Sequence, residues 1–232
     1  MKSLTESLFR PEPGFECGPR GLLVLTAPDF QFFRDRLAFP YRRSLFLSQV
    51  LFGEKGALCG PALGAPQAVM LLENLVAAGG REFLVLGWAG TLAPERLPLG
   101  GLFLPQRAYS LEGTSRHYLP RKKVFRPAPL MLQRVRGLLQ AFGLYPFSGA
   151  VVSTDAPYRE DQAFFKRWSP KAQAVDMETS ALLAAAEALG VKLAVLLLLS
   201  DALGPRGRKK IPASQLKPLR QRLLPALEAY FD

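Results

Sequence analysis

Cysteine and histidine are scarce in this sequence, and their scarcity argues against two kinds of site. The 232 residues include two cysteines, Cys17 and Cys59, and one histidine, His117. The cysteines lack the short spacing of zinc ligands, and a single pair cannot build the disulfide framework of a small secreted domain. We therefore expect no metal site and interpret both thiols as small packing residues. We interpret His117 as a structural or exposed residue.

Long apolar runs and a secretory leader pattern are also missing. The longest apolar run covers residues 193–199, which is far too short to span a bilayer. Residues 1–6 lack the basic-then-apolar layout of a secretory signal. We therefore expect a protein without a membrane partner that is located in the cytoplasm.

Acidic residues are fewer than basic ones: the sequence has 19 Asp and Glu and 30 Lys and Arg, which gives a net charge of +11. Such a balance suits nucleic acid or a small anionic ligand. The basic residues are scattered, apart from runs at residues 121–123 and 206–210 that contain no interleaved aromatic residues. Because a single-strand-binding platform needs such aromatics, we expect no nucleic-acid partner. An anionic substrate remains compatible with the charge.

The chain does have ample apolar residues, arranged in an alternation of strands and helices. Hydrophobic residues make up 49% and charged residues 21%, which indicates one globular domain over residues 1–232. Continuous apolar strands separated by helices favour an α/β fold with a mixed, mostly parallel sheet covered on both faces. The predicted strands are residues 22–25, 44–51, 56–59, 82–86, 150–153 and 192–199, and the predicted helices are residues 30–37, 65–78, 130–142, 179–189 and, kinked or broken by Pro218 and Pro225, 214–231.

Two acidic segments flank the predicted helix at residues 179–189 and the strand that comes after it. Asp176-Met177-Glu178 precedes the helix at residues 179–189, and Ser200-Asp201 follows the most apolar strand. Taken separately, acids at a helix start are usually caps, and an aspartate after a strand is often a turn residue. Ligands in open α/β sheets, however, bind beyond the carboxyl ends of strands. One helix and one strand join the two segments, so we expect their side chains to face a common cleft.

Six motifs occur in order along the sequence between about residue 22 and Asp201. They are Gly64-Ala65-Pro66 with Glu73 and Gly79-Gly80, residues 87–92 with Leu99-Gly100, residues 113–120, Ser153-Thr154-Asp155, residues 176–181 with the helix ending at Gly190, and Ser200-Asp201. Together they resemble the nucleoside phosphorylase and nucleosidase superfamily, which includes uridine phosphorylase, purine nucleoside phosphorylase and methylthioadenosine/adenosylhomocysteine nucleosidase. The resemblance implies a three-layer α/β/α domain whose sheet curls towards a barrel, assembled as a homo-oligomer with sites near subunit interfaces.

The resemblance also implies roles for three residues of the acidic segments. Glu178 would grip ribose hydroxyls, Met177 would pack on the sugar, and Asp201 would donate a proton to the purine as the bond breaks. These roles agree with the chemistry, because the oxocarbenium-like sugar needs nearby negative charge and the leaving base needs a proton. Uridine phosphorylases generally lack an acid at the position of Asp201. Its presence favours a purine, although residues 113–120 look most like those of uridine phosphorylases.

The strand-turn and the later loops supply further candidate substrate contacts. Trp88 stands where the family has a serine or threonine, so its indole narrows the phosphate site, stacks on the ligand, or is simply a core residue. Tyr158 stacks on the base or covers the core. The residues that we predict to contact the nucleoside are Met177, Glu178, Trp88, Ala89, Gly90, Ser153 and Tyr158.

The phosphate-binding pattern of the family is incomplete here. Residues 26–31 have neither the glycine nor the arginine of that pattern, and Val85 replaces a second arginine. Arg42 or Arg43 matches the family arginine that is contributed across a subunit interface, and Arg206 and Arg208 follow Asp201. Because a dianion needs several such donors, we predict Arg42, Arg43 and Arg206 as phosphate-binding residues. Phosphate is the expected co-substrate, and no other cofactor is expected.

Three functional hypotheses follow from this resemblance. The first is a nucleoside phosphorylase that converts a nucleoside, favoured to be a purine nucleoside, and phosphate to free base and pentose 1-phosphate. The second is a phosphate-independent nucleosidase, in which Asp29 is the nearest candidate for activating water. The third is a nucleoside-binding protein of the same descent that has lost turnover. The acid and sugar-binding residues are shared by the first two.

Overall fold

The computed structural model describes residues 8–205 and 207–232, so the predicted phosphate ligand Arg206 lies outside the described residues. The predicted α/β class is confirmed: within these described residues, eleven strands form one mixed sheet. The strands are β1 (Arg20–Val24), β2 (Tyr41–Leu45), β3 (Ser48–Gly53), β4 (Gly56–Gly60), β5 (Glu82–Thr91), β6 (Leu102–Ser110), β7 (Val124–Phe125), β8 (Phe147–Ser153), β9 (Ala174–Asp176), β10 (Lys192–Gly204) and β11 (Gly207–Lys210).

Five of these strands close into a ring. Strand β10 pairs with β6, β6 with β8, β8 with β9, and β9 with β5, and a long parallel pairing of β5 with β10 completes the circle. Closure satisfies backbone groups that would be exposed at the edges of an open sheet. The expectation that the sheet curls towards a barrel is therefore confirmed. Strands β1, β4, β3 and β2 extend the sheet outward from β5.

Helices cover the sheet on both faces, as the apolar strands predict. Helices α2 and α6 contribute to one apolar cluster, whereas α1, α4 and α7 contribute to a second. In the part of the chain that the structure describes, no helix combines the length and apolar character needed to cross a membrane. The helices are α1 (Ala27–Arg34), α2 (Ala65–Ala77), α3 (Ser115–Tyr118), α4 (Pro129–Ala141), α5 (Gln162–Trp168), α6 (Thr179–Leu189) and α7 (Lys217–Phe231).

Several predicted boundaries are wrong. Strand β5 does not end at residue 86 but continues to Thr91, because its last residues pair with β10 and β9. The predicted strand at residues 44–51 is two strands, separated by a turn at Phe46 with φ of 55°. The predicted helix at 214–231 begins at Lys217 and continues through Pro225.

Candidate active site

A cavity of about 670 Å³ opens at the carboxyl ends of β1, β5 and β10. This is the place where α/β sheets bind ligands, because the connecting loops diverge there. The walls consist of residues 25–27, Leu47, residues 61–63 with Gln67, residues 88–90, Pro157 with Glu160, residues 175–178, residues 200–201 and Arg208. The two acidic segments that the sequence predicts to face one cleft therefore do line one cavity.

Asp201 lies on one wall, where β10 passes close to β5. The register of the two strands shifts between Leu199 and Asp201, which places Asp201 opposite Gly90. A Cβ atom at Gly90 would lie 2.8 Å from Asp201 Oδ2, so only a glycine fits without displacing the carboxyl group. The irregularity aims the Asp201 side chain into the cavity, as bulges often do beside active sites.

The Asp201 carboxyl group is buried, with 4% of its surface exposed, and both of its oxygens are engaged. Ser200 Oγ donates to Oδ1 over 2.8 Å, and Arg208 Nε donates to Oδ2 over 2.6 Å. The hydrogen bond to Asp201 also raises the pKa of the Arg208 guanidinium. Arg208 reaches this position because β11 folds back as the antiparallel partner of β10. This cation remains charged and holds the acid in a fixed orientation.

Glu178 lies on a second wall at the start of α6. The backbone N–H of Gly64 donates to Glu178 Oε1 over 2.7 Å, and the side chain is 8% exposed. Burial raises the pKa of Glu178 to about 8, and the neighbouring Asp176 carboxyl adds to the shift. The Gly64 turn, with φ of 81°, brings its N–H to the carboxyl group. Met177 lines the cavity beside it.

The Asp176 side chain ties residues 176–178 to the neighbouring elements through hydrogen bonds. Ser153 Oγ donates to Asp176 Oδ1 over 2.6 Å, and Thr179 N donates to Oδ2 over 2.9 Å. Ser153 Oγ also accepts a hydrogen bond from Ser180 N. These bonds satisfy donors at the start of α6 and link the helix to the end of β8. Burial raises the pKa of Asp176 despite the donors around it.

The other predicted substrate contacts divide into two groups. Trp88, Ala89 and Gly90 line the cavity. Ser153 is fully buried and supports Asp176 rather than the cavity surface. Tyr158 is 97% exposed and does not line the cavity, although its neighbour Pro157 does.

The two predicted phosphate ligands that the structure describes do not lie at the cavity of their own chain. Arg42 and Arg43 lie on the exposed strand β2, and Arg43 Nη1 donates to the carbonyl oxygen of Gly14. Neither arginine lines the cavity. Among the described lining residues, Arg208 is the single cation, and it is held by Asp201.

The structure also places Asp29, the candidate for activating water, outside the cavity lining. Asp29 is fully buried. Trp88 Nε1 donates to Asp29 Oδ2 over 2.6 Å, and the Arg220 guanidinium pairs with Oδ1. With both oxygens engaged inside the protein, Asp29 has no access to a water molecule in the cavity.

Sequence reasoning missed Glu160, which lines the cavity near Asp201. Burial raises the pKa of Glu160 to about 7, partly offset by the Arg208 charge. No motif marks this residue, because the loop after β8 brings it to the cavity only in the folded chain. The described lining therefore has four carboxyl groups, from Glu160, Asp176, Glu178 and Asp201, and one guanidinium.

Comparisons with known proteins agree with this architecture. The chain is 27% identical over 158 residues to the uridine phosphorylase of Haemophilus influenzae, an alignment that covers 60% of this chain and 61% of that relative. It is 26% identical over 136 residues to the guanosine phosphorylase of Halorubrum lacusprofundi, covering 58% of this chain and 56% of the relative. The chain thus spans about three fifths of the length of these curated relatives.

Solved structures resemble the chain over nearly its whole length. The AMP nucleosidase of Bacteroides thetaiotaomicron has a TM-score of 0.73 at 25% identity, covering 92% of this chain and 88% of that one. The purine nucleoside phosphorylase of Toxoplasma gondii has a TM-score of 0.78 at 16% identity, covering 93% and 91%, and shows the same fold. The family model of the phosphorylase superfamily matches residues 21–221. The chain therefore belongs to the phosphorylase superfamily.

Proposed function

We propose that this chain is a nucleoside phosphorylase that cleaves the N-glycosidic bond of a purine nucleoside with phosphate and releases free base and pentose 1-phosphate. One observation carries the proposal. Asp201 and Glu178, an acid for the leaving base and a carboxyl group for the sugar, lie on two walls of the same cavity. No metal or organic cofactor is needed for this reaction.

On the base side, Asp201 is proposed as the general acid. Bond cleavage leaves negative charge on the purine, and a proton donated to its imidazole ring neutralises that charge. Asp201 is buried and lines the cavity, so its carboxyl group can contact the leaving base directly. Arg208 Nε, 2.6 Å from Oδ2, then stabilises the carboxylate that remains after proton transfer. A pyrimidine has no imidazole ring to accept this proton, which is why we propose a purine.

On the sugar side, Glu178 and Met177 are proposed to bind the pentose. The Glu178 carboxyl group can hydrogen-bond the pentose hydroxyls as the ring gains oxocarbenium character, and a fixed polar group of this kind is worth more in a buried cavity than in water. Gly64 N–H fixes the Glu178 side chain through Oε1, so its orientation is set before the substrate binds. Met177 supplies an apolar surface for one face of the sugar.

Phosphate as the nucleophile is supported by the relatives, which are named as uridine and guanosine phosphorylases. Arg42, Arg43 and Arg206 remain the proposed phosphate ligands. Because Arg42 and Arg43 are exposed on β2 and do not line their own cavity, the proposal requires them to come from a neighbouring subunit. A homo-oligomer is therefore part of the proposed function.

A second candidate, hydrolysis of the same bond, is favoured by the charge of the cavity. Four carboxyl groups and one engaged guanidinium are found among the described lining residues. A phosphate dianion needs several cationic donors, and the one guanidinium of the described lining is already paired with Asp201. Water needs no such donors. The structural resemblance to a solved AMP nucleosidase also agrees with this candidate.

Release of free base from a panel of nucleosides, with and without phosphate, separates the candidates. We expect hypoxanthine from inosine and guanine from guanosine, at rates that depend on phosphate, together with pentose 1-phosphate. Equal release in phosphate-free buffer, with free pentose as product, supports hydrolysis. Binding of inosine without release of base from any nucleoside would contradict both and support a binding protein without turnover.

A further inference from the structure

The Trp88 indole is held in place by a hydrogen bond to a residue that does not line the cavity. Trp88 lines the cavity at the carboxyl end of β5, and its other side packs against the apolar cluster of α1, α4 and α7. Its Nε1–H donates to Asp29 Oδ2 over 2.6 Å. An indole has a single hydrogen-bond donor, so this bond selects one ring orientation out of those that the space permits.

Asp29 is in turn fixed by Arg220. Asp29 is 0% exposed and lies in the first turn of α1, whereas Arg220 is 5% exposed and comes from α7. The Arg220 guanidinium pairs with Asp29 Oδ1, and Arg220 Nη1 donates to the carbonyl oxygen of Ala213 over 2.8 Å. Three elements that are distant in sequence, α1, β5 and α7, thus meet at the indole.

A buried ion pair is weak evidence for stability, because desolvating two charges offsets most of their attraction. Apolar residues of similar size would fill the same space at lower cost. Unlike apolar residues, an ion pair places a directional hydrogen-bond acceptor at a fixed position. Here the second carboxylate oxygen is turned towards the cavity wall and accepts the Trp88 N–H. This arrangement points to orientation of the indole as the role of the pair.

We propose that Asp29 and Arg220 are positioning residues for Trp88, whose indole binds the apolar face of the nucleoside. The proposal rests on the proposed function of the cavity. Leu25 and Ala27 lie on the same wall, so the surface that the indole completes is apolar. A planar base or one face of a pentose packs well on such a surface.

The test uses the fact that the chain has two tryptophans, Trp88 and Trp168. In a Trp168→Phe background, the long-wavelength tryptophan bands of the near-ultraviolet circular dichroism spectrum, and emission excited in those bands, report Trp88 alone. The pair variant Asp29→Leu with Arg220→Met removes both buried charges together, so neither is left unpaired, and it also removes the acceptor of the Trp88 N–H. We expect the sharp dichroism bands of Trp88 to weaken. The KM for inosine should rise by about tenfold with kcat nearly unchanged, because binding common to substrate and transition state is lost.

Tyr230→Phe is the matched control on the same helix. Tyr230 is buried in α7, and its hydroxyl donates to the carbonyl oxygen of Glu82 over 3.0 Å. We expect this variant to lose stability but to keep the Trp88 dichroism and the KM. If the pair variant does not fold, Trp88→Phe tests the proposal instead, because it keeps the Asp29–Arg220 ion pair and removes the indole N–H. The same rise in KM is expected there.

Unchanged dichroism and KM in the pair variant overturn the proposal, as does Trp88 emission that saturating inosine leaves unaltered. Failure of the proposed function looks different. If no nucleoside is cleaved or bound by the parent, the function is wrong, while the dichroism of the pair variant still decides whether Asp29 and Arg220 orient Trp88.

Discussion

At the scale of single residues, the carboxyl groups beside α6 share one buried environment. Asp176 and Glu178 are 6% and 8% exposed, and burial raises the pKa of both. Asp176 is surrounded by hydrogen-bond donors from Ser153 and Thr179. Glu178 has the Gly64 N–H and a carboxyl neighbour. Because charging both at once is unfavourable, Glu178 retains its proton to a higher pH than an ordinary glutamate.

This environment predicts a stability that depends on pH. The pKa of Glu178 is raised from 4.5 to about 8 in the folded state, so between these values the folded state binds more protons than the unfolded state. The unfolding free energy therefore falls as pH rises through this window, by at most about 1.4 kcal/mol per pH unit from this group. Glu178→Gln, which keeps the acceptor for Gly64 N–H, should flatten the slope in urea melts between pH 5 and pH 8.

A second variant is needed because the pKa of Glu160 is also raised, to about 7. Glu160 therefore also makes the unfolding free energy fall as pH rises in this range. Glu160→Gln serves as the matched control, since it removes that contribution and leaves the Glu178 slope. Parallel curves for wild type and Glu178→Gln would show that Glu178 is ionised in the folded state throughout this range.

The sequence allowed the core of the site to be predicted, because the motif residues sit directly at element ends. Met177, Glu178, Trp88 and Asp201 were predicted as a site and do share one cavity. Glu160 was not predictable, since it belongs to a loop without periodicity and reaches the cavity only through the fold of that loop. The buried positions of Ser153 and Asp29 follow from packing of separate elements, which spacing along the chain does not reveal.

At the scale of elements, the close approach of β5 and β10 places the proposed acid. Gly90 lies opposite Asp201 in the parallel pairing, beyond the register shift of β10. The contact is tight because a Cβ atom at Gly90 would also lie 3.3 Å from Val175 Cγ1 on β9. The carboxyl group is thus confined by the two strands, with Arg208 of β11 beside it.

Gly90→Ala should therefore displace the Asp201 carboxyl group. The added methyl group would lie 2.8 Å from Oδ2, well inside van der Waals contact. Because a shift of about 1 Å at a catalytic group costs on the order of 100-fold in rate, we expect kcat/KM for inosine to fall by about that factor. The midpoint of thermal unfolding should fall much less, and both quantities are measured on the same preparation.

Gly137→Ala provides the control for an added methyl group. Gly137 is an exposed residue within α4, and a Cβ atom there meets nothing within 4 Å. Alanine in a helix is favoured over glycine by up to about 1 kcal/mol, so this variant should be as active as wild type and slightly more stable. Wild-type activity in Gly90→Ala would show that Asp201 tolerates displacement and does not act as proposed.

Helix and strand types were predicted more reliably than their ends. Helix α6 has the predicted bounds because Gly190, with φ of 70°, ends it locally. The ends of β5 and β10 depend on pairing with β9 and β11, which are three and four residues long. Such short strands carry too little periodicity to be recognised before the sheet is known. The ring closure came from the resemblance and not from the strand pattern.

At the scale of the whole molecule, the chain is basic while its cavity is acidic. The net charge is +11, yet the described lining of the cavity has four carboxyl groups and one guanidinium. The basic surface attracts anions in general. Among the described lining residues Arg208 is the one cation, and it is paired with Asp201, so we propose that phosphate binding depends on cations from a neighbouring subunit.

We therefore predict a homo-oligomer. Leu47 and Leu63 line the cavity yet are 92% and 78% exposed, an unfavourable state for large apolar side chains at a site entrance. Light scattering after size-exclusion chromatography should give a mass that is a multiple of 25.5 kDa. Leu47→Asp should shift that mass towards the monomer and lower phosphate-dependent activity. A monomeric wild type with full activity would contradict the expected supply of arginines from a neighbouring subunit.

The proposed reaction depends most on Asp201 as the acid that protonates a leaving purine. The direct measurement is the steady-state rate of hypoxanthine release from inosine by wild type and by Asp201→Asn, at equal protein concentration and saturating phosphate. The amide keeps the shape of the side chain, so the fold should be retained. Loss of a general acid costs about 10²–10⁴ in rate, and we predict a decrease of that size. An Asp201→Asn protein that releases hypoxanthine as fast as wild type would contradict the account.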